Sequence, residues 1–233
     1  MAFRPETWTH ALGKRVRTLW VLKMLVTTLG IAVFFYGYFW VMRNPLSVVT
    51  VMPVTWIDEL VAFRPHSFFL YGSLWVYVAL GSALLKDGQE LAAWGATSVA
   101  MTVVGLGTFM VWPTQVPDFP IDWSRYPSLG FLKTVDVSGN ACPSLHAAFA
   151  VFTAVVIHGQ LRAIRAPRAW LACNALWCLG IVHSTIATRQ HVALDIVAGA
   201  VLAGVASIAY LRACRLAGST EAVDPAAPRS SYW

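Results

Sequence analysis

Three ionisable side chains lie in or against long apolar runs of this chain: His146, His191 and Asp195. Titratable groups inside a membrane are expensive, so each marks a candidate site. His191 and Asp195 are four residues apart, a spacing that sets both on one face of a helix. A carboxylate one turn from an imidazole binds one ring nitrogen and leaves the other as a nucleophile. Arg189, two residues before His191, is placed to meet an anion at the membrane surface. His146 closes the segment Gly139-Asn140-Ala141-Cys142-Pro143-Ser144-Leu145-His146. Pro143 suits a first helical turn, where unpaired N–H groups point outward and attract phosphate.

The elements that must carry these groups are membrane helices. Of 233 residues, 58% are hydrophobic and only 12% charged, with a mean hydropathy of +0.61. A soluble domain carries about 25% charged residues, and a 25.5 kDa globule could not hide this much apolar surface. Disordered, collagenous, coiled-coil and disulfide-scaffold classes are excluded by the same figures. Crossing a bilayer takes about 20 apolar residues in a helix. Six runs qualify: Trp20–Met42, Ser67–Leu85, Leu91–Trp112, Ser144–Leu161, Ala169–Ala187 and Val192–Leu211. They are too uniformly apolar for the alternating strands of a closed barrel. The first run is too long for a signal-peptide core and lacks a cleavage site after it. The expected fold is an all-α polytopic bundle of six transmembrane helices.

Loop charge sets the expected orientation. Net charge is +6, from 17 Lys and Arg against 11 Asp and Glu, and it is spread over short loops rather than gathered on a nucleic-acid-binding face. One side collects Arg4, Lys14, Arg15, Arg17, Lys23, Lys86, Arg162, Arg165, Arg168, Arg212, Arg215 and Arg229. The other has Arg43, Arg64, Arg125, Lys133 and Arg189. The richer side is read as cytoplasmic, with both termini there. Three domains follow: a basic segment 1–19, the membrane domain 20–212, and a cytoplasmic tail 213–233 that is small-residue rich and expected to be disordered from Ala217. The outward loops Arg43–His66, Pro113–Pro143 and Thr188–His191 hold the polar chemistry, with an amphipathic stretch Val54–Phe63 suited to the interface.

Several features have plainer roles. His183 falls inside a span and suits packing, and His10, His66 and His158 fall at interfaces. The aromatic groups Phe34–Trp40 and Phe68–Trp75 read as a lipid-facing belt. Gly199 and Gly204 suggest close helix packing. The four cysteines have no metal-ligand or redox spacing, and Cys142 has no base and orienter of its own. No carboxylate-rich cluster suits Mg²⁺ and no ligand set suits zinc, so no cofactor is expected.

Pro143-Ser144-Leu145-His146, followed by Ser184-Thr185 and then His191 and Asp195, resembles the type 2 phosphatidic acid phosphatase superfamily. With Leu145 in the motif and Ser184-Thr185-Ile186-Ala187-Thr188-Arg189-Gln190-His191 after it, the chain looks most like the branch containing inositol phosphorylceramide synthases. The resemblance implies a six-helix, metal-independent membrane enzyme with its site on the extracytoplasmic face. It makes His191 the phosphorylated nucleophile, Asp195 its orienter and His146 the general acid, with Ser144, Leu145, Thr185 and Arg189 around the phosphate. The substrate would be a lipid phosphate or phospholipid; water as acceptor makes a phosphatase, an alcohol a phosphotransferase, including a phosphoinositol-type headgroup transferase. The family's Lys-x6-Arg-Pro signature has no counterpart here, and Thr185 stands where the family has Arg. Phosphate charge then falls to Arg189 with Arg125 or Lys133. The same gap leaves open a non-catalytic lipid-binding or transporting bundle with a degenerate site.

Overall fold

A computed structural model describes residues 7–135 and 139–223. Arg4, Asp136 and Arg229 therefore lie outside the described residues, as does the tail after Val223. The basic N-terminal segment forms α1 (Trp8–Arg17), capped by the Thr7 hydroxyl. Its Trp8, Ala11 and Leu12 pack on the bundle, and Leu19, at φ 54°, turns the chain into α2 (Trp20–Arg43). Lys23 is buried within α2. Its ammonium donates to the carbonyls of Arg15 (2.7 Å), Ala83 (3.0 Å) and Leu85 (2.7 Å), which ties α1 to the chain leaving α5.

After α2 come strand β1 (Thr50–Val51) and the short helix α3 (Trp56–Leu60). The stretch expected as a second continuous span, Ser67–Leu85, instead forms α4 (Phe68–Gly72) and α5 (Leu74–Ala83), which meet at Ser73. The Ser73 hydroxyl donates back to the Leu70 carbonyl at 2.6 Å and accepts from Trp177 Nε1 at 2.9 Å. A serine so engaged competes with the helical ladder. The remaining elements are α6 (Gly88–Val111), β2 (Thr114–Gln115), α7 (Pro127–Val135), α8 (Leu145–Ala163), α9 (Arg168–Ala187) and α10 (Ala193–Val223). Among the described residues five helices, α2, α6, α8, α9 and α10, are long and apolar enough to cross a bilayer. The chain is thus an all-α membrane bundle, and α10 continues past Ala217 to Val223.

The central helix is α8, which packs on α5, α6, α9 and α10. In its most apolar window 61% of residues are buried, against 11% for α2, which lies on the rim. Tyr77, Phe152, Val156, Ile181 and Ala203 form the middle of the core. Gly199 is where α10 touches α8 most closely: a Cβ there would run into the Ser144 carbonyl and reach Ala148 N at 3.3 Å. Gly204 faces open space instead, so the expected small-residue contact exists at only one of the two glycines.

The three polar loops meet at one end of the bundle. Strands β1 and β2 pair in parallel, with Thr50 N–H donating to Pro113 O at 2.8 Å and Met52 N–H to Gln115 O at 2.8 Å. Thr114, fully buried, joins this small sheet to the approach to α8. Its carbonyl accepts from Gly139 and Ala141, and its hydroxyl accepts from Cys142 N–H at 2.7 Å. The Val54–Phe63 stretch is helical only over α3, with Trp56 and Leu60 exposed and Asp58 buried.

Candidate active site

His146 lies in the first turn of α8, whose cap is Ser144: the hydroxyl accepts from Ala147 N–H at 3.1 Å. Pro143 sits one residue before that cap rather than in the first turn, because the serine side chain starts the helix. The Ser144 N–H donates to the Asp195 carbonyl at 2.9 Å and so locks the start of α8 against α10. Leu145 is buried and fills the space above Gly105, where a Cβ would approach its side chain to within 3 Å.

His191 differs from expectation in its backbone. It lies two residues before α10 begins, so it and Asp195 do not share one helix face. The helix starts at Ala193 because two carboxylates take the N–H groups there. Asp195 Oδ2 accepts from Val192 N–H at 3.0 Å, and Asp58 Oδ1 accepts from Ala193 N–H at 2.8 Å. His191 still reaches Asp195, with Nδ1 3.5 Å from Oδ2, an ion-pair distance rather than a formed hydrogen bond. Among the described residues His191 Nδ1 and Asp195 Oδ1 have no hydrogen-bond partner, and neither does His146 Nε2. Unpaired buried polar atoms are uncommon in folded chains, and three meet here.

Both histidines line one cavity of about 140 Å³. Its lining includes Leu145 and Phe149 of α8, Phe34, Phe35, Tyr38 and Phe39 of α2, and Tyr71, Leu74 and Trp75. The His146 ring stacks on Tyr71 at 4.0 Å between centroids, 15° from parallel. These aromatics therefore face the site rather than forming only a lipid belt, although Tyr36, Trp40 and Phe69 remain exposed. On α2 the pairs 34/38 and 35/39 repeat at i, i+4, which places each pair along one helix face, while Tyr71 ends α4 and Trp75 begins α5. Asn140 also lines the cavity, and its amide hydrogen-bonds the Tyr38 hydroxyl. The other four histidines, His10, His66, His158 and His183, are exposed.

The remaining candidates are placed as follows. Thr185 is fully buried, and its hydroxyl donates to Val182 O at 2.8 Å, while its carbonyl accepts from Gln190 and His191 N–H. Arg189 adopts φ 58°, a left-handed conformation that costs a non-glycine residue about 1–2 kcal/mol. Its guanidinium donates to the carbonyls of Asp58 and Val61, both at 2.9 Å, and lies over Phe119. Lys133 of α7 donates to the Arg189 carbonyl at 3.1 Å, whereas Arg125 is exposed. Burial, aided by the charge of Asp195, pushes the Cys142 thiol up to about 11, so it is no thiolate nucleophile at neutral pH. Asp58 and Thr114 escaped the reading of the sequence, since nothing in a single loop names its partner in another. Among the described residues no three His, Cys, Asp or Glu side chains group as metal ligands.

A family model, that of the PAP2 superfamily, matches residues 64–217. The chain belongs to the PAP2 superfamily. No curated protein and no solved structure matches it. PAP2 membership points to a phosphatase- or phosphotransferase-type activity. The matched segment contains His146, His191 and Asp195, while the α2 wall of the cavity and Asp58 precede it.

Proposed function

We propose that this PAP2 chain is an integral membrane lipid phosphatase or phosphotransferase that works through a phosphohistidine. The observation that carries this reading is one cavity bearing both withdrawn histidines, with Asp195 3.5 Å behind His191. In this reading Asp195 orients the imidazole through Nδ1, and Nε2 attacks phosphorus as the bond to the lipid alcohol breaks. His146 gives a proton to the departing alkoxide. It then takes one from water, or from an acceptor alcohol, as that oxygen attacks the phosphohistidine and frees His191. The N–H of Leu145, at the start of α8, favours the phosphate, whereas that of Ser144 is given to the Asp195 carbonyl. Thr185 and Arg189 shape the loop beside it, and Lys133 supplies positive charge. The aromatic walls suit the apolar alcohol of a lipid ester.

The same reading makes α4 and α5 together a sixth crossing, with both termini cytoplasmic and the cavity at the extracytoplasmic end. The enzyme would be metal-independent. The test supplies purified protein with ³²P-labelled phosphatidate, prenyl diphosphate, ceramide phosphate and phosphoinositol lipids, with and without chelator. Acid-labile, base-stable label on the protein that vanishes in His191→Ala is expected. Released phosphate marks a phosphatase and a new headgroup lipid marks a transferase. Neither product from any lipid would instead identify a non-catalytic bundle.

A further inference from the structure

Asp58 is 1% exposed, yet no motif singles it out and it precedes the segment shared with the family. Its Oδ2 accepts from the Thr55 N–H and hydroxyl, each at 2.8 Å, which closes α3. Its Oδ1 crosses to the Ala193 N–H at 2.8 Å. From the same short stretch, the carbonyls of Asp58 and Val61 hold the Arg189 guanidinium, and Arg64 N–H donates to Ala187 O at 2.8 Å. The loop carrying His191 is thus bracketed at residues 187, 189 and 193 by residues 58–64.

We propose that Asp58 is a positioning residue for the reaction: it holds the His191 loop and leaves Asp195 free to face the imidazole. The argument rests on the phosphohistidine reading of His191. The first N–H groups of a helix have no partner within it and need one from outside. Here they are divided, Val192 to Asp195 and Ala193 to Asp58. Asp195 Oδ1 is buried and has no partner among the described residues. Without Asp58, the Ala193 N–H has that oxygen as its available acceptor. The Asp195 carboxylate would then turn to the helix start and away from His191, and Arg189 would lose the segment that clasps it.

The experiment compares wild type, Asp58→Ala, Asp58→Asn and a control, Glu59→Gln, an exposed neighbour on α3, as purified full-length protein in lipid nanodiscs. Melting temperature reports folding, and kcat and KM are followed across pH on a lipid phosphate that wild type turns over. A misplacement of about 1 Å in a catalytic group costs on the order of 10²-fold in rate. Asp58→Ala should lose kcat by about that factor with KM little changed. The pH profile of kcat/KM should also differ from that of wild type, because the carboxylate no longer faces the imidazole, a change that partial unfolding does not produce. Asp58→Asn keeps the shape but has one acceptor oxygen and no charge, so both effects should recur in smaller size. Glu59→Gln should match wild type. Folded Asp58→Ala with wild-type kcat and pH profile overturns the inference while leaving the enzyme reading intact. If Asp58→Ala does not fold, Asp58→Asn decides by the same two readouts. Wild type silent on every ester removes the enzyme reading, and the inference with it.

Discussion

The 3.5 Å between His191 Nδ1 and Asp195 Oδ2 sets what each residue of the site is expected to do. In the proposed mechanism that gap would close to a hydrogen bond as the imidazole gains charge, so the carboxylate would matter most in the transition state. Asp195→Asn should cost up to about 10⁴-fold in kcat, by analogy with the orienting aspartate of a serine-protease triad. His146→Ala should slow lipid esters by about 10²–10⁴-fold, the usual worth of a general acid. Activated phenyl esters, which leave without a proton, should be nearly spared; equal slowing of both would exclude His146 as the acid. The cations divide differently. Lys133, on the Arg189 carbonyl, should act on binding, so Lys133→Ala is expected to raise KM more than it lowers kcat. A fall in kcat alone would contradict that role. Cys142 should titrate as a buried thiol, with burial first and Asp195 second holding its proton to about pH 11. Its alkylation, mapped by mass spectrometry, should climb with pH without levelling near neutrality, and Cys142→Ala should retain turnover. A plateau near pH 7 would mean that the thiol is already ionised there.

At the scale of elements, the site depends on how closely α8 and α10 approach. The contact is backbone on backbone: Gly199 lies against the Ser144 carbonyl, and Ser144 N–H meets the Asp195 carbonyl. A methyl group at 199 has no flexible neighbour to displace, so the two helices must separate. Overpacking of this kind costs about 1–3 kcal/mol. Gly199→Ala should lower the melting temperature by that measure and also lower kcat, because Asp195 moves with α10. Gly204→Ala, with open space around it, should leave both unchanged and provides the comparison. A tolerated Gly199→Ala with full activity would show that the approach is not needed.

For the whole molecule, the loops of one end are stitched together by β1, β2, Thr114 and Asp58. The opposite end carries α1, the basic connections at Lys86 and Arg162–Arg168, and Arg212 and Arg215 within the later part of α10. With the basic end cytoplasmic, a cysteine placed at Asp122 should react with an impermeant maleimide from outside, and one at Arg165 should not. The reverse pattern would invert the bundle and put the cavity in the cytoplasm.

Composition alone determined that this chain is a helical membrane bundle, since apolar runs of such length have no other stable fold in lipid. Local motifs singled out His146, His191 and Asp195 as candidates, because the chemistry proposed for them is written in residue type and close spacing. Tertiary structure decided what long-range contacts control. Lipid-facing and cavity-facing aromatics are the same residue types, so only the packing of α2 beside Tyr71 and Trp75 assigned Phe34, Tyr38 and their neighbours to the site. Arg189, well placed by sequence to meet an anion, is committed to carbonyls 128–131 residues earlier in the chain. Asp58 gained its meaning only from an N–H at Ala193, 135 residues away. Hydrogen bonds between distant loops depend on how the helices bring those loops together, and no short window of sequence contains that geometry.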